Sequence, residues 1–133
     1  MRNTLRLVTT LALILLAGAP LARAGEGFGR LTVDEVSSRI GQKDFYVFDN
    51  NSHERWSKGH VPSARWVDYS NVTTADLPAD KEATLVFYCG SEQCTACHKA
   101  AATAIKLGYK KVNIMPAGIA GWEKAGKKTD PGA

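Results

Sequence analysis

No stretch of this sequence is apolar for long enough to cross a bilayer. The most apolar run, Leu7 to Ala17, covers about 11 residues, where a spanning helix needs roughly 20. There is no internal repeat, no low-complexity tract and no internal linker, which excludes repeat architectures and any visible division of the chain's body. Cysteine is scarce, with 3 in 133 residues, too few for a disulfide-stapled scaffold. A surplus of one charge is missing too. The chain has 17 basic and 13 acidic residues, but Arg2, Arg6 and Arg23 fall in the first 24 positions, and the rest carries 14 against 13. Composition therefore gives no support to a nucleic-acid partner.

The first 24 residues do hold an export pattern. Arg2 and Arg6 precede the apolar run, and Ala22-Arg23-Ala24 is a small-x-small cleavage signature with Gly25 as the new N-terminus. The sequence predicts a cleaved secretory signal over 1–24 and one domain over 25–133, with a polar tail from about residue 127. An uncleaved N-terminal anchor is the rival reading. Export implies a periplasmic or secreted protein with no stable membrane span after cleavage, and about 109 residues suffice for one modest core. An odd number of thiols in that oxidising setting calls for a chemical explanation.

Hydrophobic periodicity alternates along the domain. Thr32-Val33-Asp34-Glu35 fits a capping box ahead of a helix to about Ile40, which Gly41 stops. Phe45 to Phe48 reads as a short strand, Ser52 to Lys58 as a helix, Gly59-His60-Val61-Pro62 as a turn and Arg65 to Tyr69 as an edge strand. Ala83 to Tyr88 is the most apolar run of the domain and suits a buried parallel strand. An alanine-rich helix from about Cys94 to Leu107, a strand Val112 to Met115 and a helix Ile119 to Ala125 complete the pattern. Strands alternating with helices predict an α/β fold with a parallel sheet covered on both faces.

All three cysteines fall in Cys89-Gly90-Ser91-Glu92-Gln93-Cys94-Thr95-Ala96-Cys97, and His98 follows. Cys89 ends the buried strand, the sheet edge where open parallel sheets bind ligands. A loop and helix start beyond it would turn N–H groups inward, lower the thiol pKa and make Cys89 the first thiol to be alkylated. Cys94-Thr95-Ala96-Cys97 is also a dithiol spacing, and with His98 it matches the attachment motif of haem c. Against haem stands the small volume of a domain this size. Zinc is disfavoured because four ligands within ten residues, several on one helix, make a poor tetrahedral shell. His60 reads as a turn residue, and Asn50, Asn51 and His53 as solvated loop, although all three lie at a strand's carboxyl end and are able to rim a site.

The order of motifs resembles a single-domain rhodanese-like sulfurtransferase. The matching pieces are Phe48-Asp49, Glu54 ahead of Gly59-His60-Val61-Pro62-Ser63-Ala64, Leu85 to Cys89, Gly108-Tyr109-x-x-Val112 and Gly118-Ile119-x-x-Trp122. The resemblance implies a central parallel sheet of about five strands flanked by helices. It also implies Cys89 as the sulfur-carrying nucleophile, a persulfide loop of Gly90, Ser91, Glu92, Gln93 and Cys94, and a rim of Asp49 and Asn51. No cofactor is expected, and the partners expected are a small sulfur donor and a thiol or protein acceptor, with the chain a monomer. Thiosulfate-using members commonly have arginine where this chain has Cys94, and Glu92 adds a negative charge to the loop. This implies a donor other than thiosulfate, with Cys94 as a resolving thiol that leaves a Cys89–Cys94 disulfide. A non-catalytic redox or sulfur-carrier module using Cys94 and Cys97 is the alternative of a different class.

Overall fold

The computed structural model describes residues 27–132, so the export pattern of 1–24 lies outside the described residues. The chain runs β1 (Gly29–Arg30), α1 (Val33–Arg39), β2 (Phe45–Asp49), α2 (His53–Lys58), β3 (Arg65–Trp66), β4 (Thr84–Tyr88), α3 (Ala96–Lys106), β5 (Lys111–Ile114) and α4 (Gly118–Lys124). Five strands form one sheet in the order β1-β5-β4-β2-β3, every pair parallel. Among the described residues, no helix is long and apolar enough to cross a membrane.

Side chains alternate across a strand, and here both faces are apolar. From β4, Leu85, Phe87 and Cys89 pack with Phe48 and with Cys97, Ala100, Ala101 and Ala104 of α3. Val86 and Tyr88 point the other way, to Val36 of α1 and to Ile119 and Trp122 of α4. The run that reads as uniformly apolar is thus a central strand buried on two sides. Alanine along α3 keeps that helix close to the sheet, leaving room for the stacked Phe48 and Phe87 rings, 5.1 Å apart. Each such ring contributes about 1.5–3 kcal/mol when fully buried.

Local signals act as written. Thr32 and Glu35 form the reciprocal capping box of α1, and Ser52 caps α2. Two expectations shift. The predicted Arg65–Tyr69 strand shortens to two residues, because it lies on the sheet edge and pairs only with β2. The polar tail from residue 127 is not loose among the described residues: His60 and Asp130 exchange both backbone hydrogen bonds at 2.9 Å. Trp122 Nε1 donates to Lys128 O and the Gly132 amide to Ser57 O. This tail covers α2, which contributes no buried residue itself.

Candidate active site

The carboxyl ends of β2, β4 and β5 meet at one edge, and a polar network fixes it. Tyr88 Oη donates to Asp49 Oδ2 at 2.5 Å and accepts from the Val61 amide at 3.0 Å. The other carboxylate oxygen accepts from the Asn51 amide at 2.7 Å and from Asn51 Nδ2 at 2.9 Å. Burial pushes the Asp49 carboxyl up from its ordinary value, although these donors pull it down. The Tyr88 phenol is pushed far up, by burial first and by the neighbouring carboxylate second. Asp49, expected at the rim, is fully buried and spent on this network. Asn51 lies beside the loop: its Oδ1 is 3.5 Å from the point a Cβ on Gly90 would occupy.

Asn50 is not solvated loop. It is buried, its amide nitrogen donates to Val67 O at 3.0 Å, and its Oδ1 has no hydrogen-bond partner among the described residues. Asn50 N bonds to Tyr88 O one step beyond the Asp49–Tyr88 pair, which carries Asn50 alongside Cys89. The signal that marks it in sequence is its place directly after a buried strand. His60 does act as a turn residue: its Nδ1 is 3.0 Å from Trp56 O and its ring stacks on the Trp56 indole.

The loop after Cys89 is held from the far side by α4. Ile119 N and Ala120 N donate to the carbonyls of Cys89 and Gly90 at 2.9 and 3.0 Å. Gly118 makes that approach possible, with φ +62° and a would-be Cβ 2.6 Å from Cys89 O. In a trans peptide the N–H points opposite the C=O, so anchoring these carbonyls turns the next amides away from α4, into the loop. Among the described residues, the amide N–H groups of residues 90–93 have no hydrogen-bond acceptor. Cys94 N closes a turn on Ser91 O, and α3 therefore starts at Ala96 rather than at Cys94. Glu92 is exposed and lines two neighbouring clefts, of about 310 Å³ toward Lys124 and about 250 Å³ toward Pro116.

Cys89 and Cys97 are buried, at 1% and 2% exposure, whereas Cys94 is partly exposed. Cys89 Sγ donates to Cys97 Sγ at 3.5 Å. The proton shared with Cys97, and then burial, push the Cys89 thiol well above the ordinary range. The same hydrogen bond pulls Cys97 below it, against the opposing effect of burial. The shared proton thus raises the Cys89 thiol and lowers that of Cys97, contrary to the expectation of a lowered Cys89 pKa. It also pairs Cys97 with Cys89 rather than with Cys94.

Cys97 belongs to the core cluster around Ala100, Ala101 and Ala104, and the His98 ring packs edge-on against Phe28 at 5.5 Å. The Cys94–His98 segment thus does not present two sulfurs and an imidazole on one open face, as thioether attachment of haem needs. Among the described residues, no group of three or more His, Cys, Asp or Glu side chains is arranged to hold a metal ion.

Comparison with known proteins agrees with this geometry. No curated protein matches the chain. The BH2092 protein from Bacillus halodurans superposes with a TM-score of 0.72 at 24% identity, over 77% of each chain. A thiosulfate sulfurtransferase from Pseudomonas aeruginosa gives 0.69 at 26% identity, over 79% of this chain but 20% of its own. SseA from Escherichia coli, a 3-mercaptopyruvate sulfotransferase of rhodanese fold, gives 0.65 at 18% identity, over 80% of this chain and 51% of its own. The family match itself covers residues 32–125, from the cap of α1 to the end of α4 and through the Cys89 loop, and on it the chain belongs to the rhodanese-like domain family.

Proposed function

We propose that this protein is an exported, monomeric sulfurtransferase that moves sulfane sulfur through a persulfide on Cys89 to a thiophilic acceptor. The observation that carries the reading is Cys89 at the end of β4, followed by a loop in which the bonds from α4 to the Cys89 and Gly90 carbonyls turn the amides of residues 90 and 91 away from α4. The similarity to a thiosulfate sulfurtransferase and to SseA supports the same class of reaction.

In the proposed cycle the Cys97 thiolate takes the Cys89 proton across their 3.5 Å hydrogen bond. The freed Cys89 thiolate attacks the outer sulfur of the donor and displaces the donor's thiolate. The terminal sulfur then lies among the loop amides, which stabilise its charge where it develops. The open Oδ1 of Asn50, alongside Cys89, is an acceptor suited to an S–H proton. A thiol or a protein thiolate finally removes the sulfur. Cysteine supplies the chemistry, so the cycle calls on no cofactor and no nucleic acid. Glu92 at the mouth, and Cys94 in place of a cation, favour polysulfide or a persulfidated thiol over thiosulfate.

The test is sulfur transfer to cyanide or to a small thiol, using polysulfide as donor and the full chain prepared from a secreting host. Activity that vanishes in Cys89→Ser supports the reading. Transfer undiminished in that variant, or a mature chain retained in the cytoplasm, removes the corresponding part.

A further inference from the structure

The nine-residue cluster holds more thiols than sulfur transfer needs. Two of the three, Cys89 and Cys97, are buried in the same core cluster and in contact, eight positions apart. We propose that this protein also releases transferred sulfur as sulfide, with Cys97 as the thiol that resolves the Cys89 persulfide. The inference rests on the Cys89 persulfide reading and adds a second outcome for that intermediate.

The first step is that of transfer: Cys89 takes the outer sulfur of a persulfide donor, the donor S–S bond breaks, and the donor thiol leaves with the proton. In the second step the Cys97 thiolate attacks Cys89 Sγ. A Cys89–Cys97 disulfide forms, the bond from Cys89 Sγ to the outer sulfur breaks, and hydrosulfide leaves with the electron pair. Two thiols are oxidised to one disulfide, and one sulfane sulfur is reduced to sulfide. A dithiol reductant returns the pair to its starting state by thiol–disulfide exchange.

Geometry selects Cys97. Its sulfur is 3.5 Å from Cys89 Sγ, so closing to a bond of about 2.05 Å takes a shift of roughly 1.5 Å. Cys97 belongs to the core cluster with α3, while the loop amides that would hold the outer sulfur lie at the mouth. Attack from the core side with departure toward the mouth is the in-line path that displacement at sulfur requires. The Cys97 side chain is also the one whose thiolate the neighbouring Cys89 proton stabilises. Cys94 is partly exposed and packs only at the margin of the core cluster.

The experiment uses the reduced full chain with one equivalent of glutathione persulfide and no reductant, followed by sulfide assay and mass spectrometry. The wild type is expected to release about one sulfide per chain and to lose about 2 Da, with peptide mapping joining Cys89 to Cys97. Cys97→Ala and Cys97→Ser, loaded at a pH above their raised inflection where Cys89 ionises without the Cys97 base, are expected to retain about 32 Da on Cys89 and to release sulfide at least 10-fold more slowly than the wild type at that pH. A wild type that keeps the persulfide, or that joins Cys89 to Cys94, overturns this inference and leaves the transfer reading standing. If Cys89 gains no sulfur in either variant and the wild type forms no Cys89 disulfide, the transfer reading falls with it. Because the wild-type peptide map decides between Cys94 and Cys97, the test survives even if both variants fold poorly.

Discussion

The Tyr88 hydroxyl stands between the Asp49 carboxylate and the Val61 amide, joining the ends of β4 and β2 to the turn before β3. Removing it orphans a buried donor and a buried carboxylate at once. Tyr88→Phe is expected to destabilise the domain by about 2–3 kcal/mol in urea unfolding, since each orphaned buried group costs roughly 1–3 kcal/mol. A change under about 0.5 kcal/mol would mean that water replaces the hydroxyl and that the network is dispensable.

Asp49 gives a pH signature. Its folded pKa is raised, chiefly by burial, so between the unfolded value and the folded one the native state binds more protons. The wild type therefore gains stability from this group as pH falls from neutral toward the ordinary aspartate range, and loses that gain as pH rises through the folded value. Asp49→Asn lacks the titration and cannot accept from both Tyr88 and Asn51. Its deficit is expected to be about 1–3 kcal/mol at neutral pH and larger near pH 5. A deficit that shrinks on acidification contradicts the assignment.

Gly118 fixes the loop by allowing a close approach. Gly118→Ala meets both a left-handed backbone conformation and carbonyl atoms 2.6–2.7 Å from the new methyl. We expect a loss of about 2–4 kcal/mol by thermal or urea unfolding. Sulfur transfer should also drop at least 10-fold in whatever fraction stays folded, because Cys89 O and Gly90 O lose their anchors. Normal transfer in a folded variant would separate the loop from the chemistry.

The thiol pair predicts a pH–rate profile. Transfer should rise with pH through an inflection below that of an ordinary thiol, about 8.5, because the Cys97 thiolate must be present to take the Cys89 proton. Cys97→Ser leaves Cys89 buried without that base, so the inflection should move upward while plateau transfer survives. An unmoved inflection in pre-steady-state donor reduction would assign the proton to another group.

Glu92 governs donor choice. Its exposed carboxylate lines both clefts beside the loop, where it repels an anionic donor. Glu92→Ala combined with Cys94→Arg should raise kcat/KM for thiosulfate roughly 10- to 150-fold, the value of one charge-assisted contact of about 1.5–3 kcal/mol. A wild type that already prefers thiosulfate to polysulfide defeats this argument.

Elements whose signals are local were legible before any coordinates. The Thr32–Glu35 box, the Ser52 cap and the apolar run into Tyr88 all sit where pattern and propensity place them. The fifth strand has no such signal: Gly29–Arg30 is two exposed residues, held by pairing with β5 and by Leu31 N donating to Ile114 O. The family motifs implied five strands where periodicity alone counted four. In the site, the sequence marks Cys89 through the strand it ends, but not its partner. Closing the Ser91–Cys94 turn delays the helix to Ala96 and buries Cys97 in the core, with Cys94 only partly buried at its margin. Asn50 and Asp49 read as polar and exposed because composition cannot reveal that neighbouring strands enclose them.

The tail has a consequence for synthesis. Its bridge joins His60 to Asp130, about 70 residues later in the chain, and adds to the Arg55–Glu123 ion pair and the Trp56 Nε1 bond to Ala64 O that tie down α2. A chain emerging from the ribosome in order can pair β2 with β4 and then β4 with β5, but the bonds from the tail to the His60 turn and to Ser57 form only once residues 130–132 arrive. Closure of this bridge is thus timed by the arrival of residues 130–132. The bridge between the His60 turn and Asp130 is therefore among the last parts to become rigid.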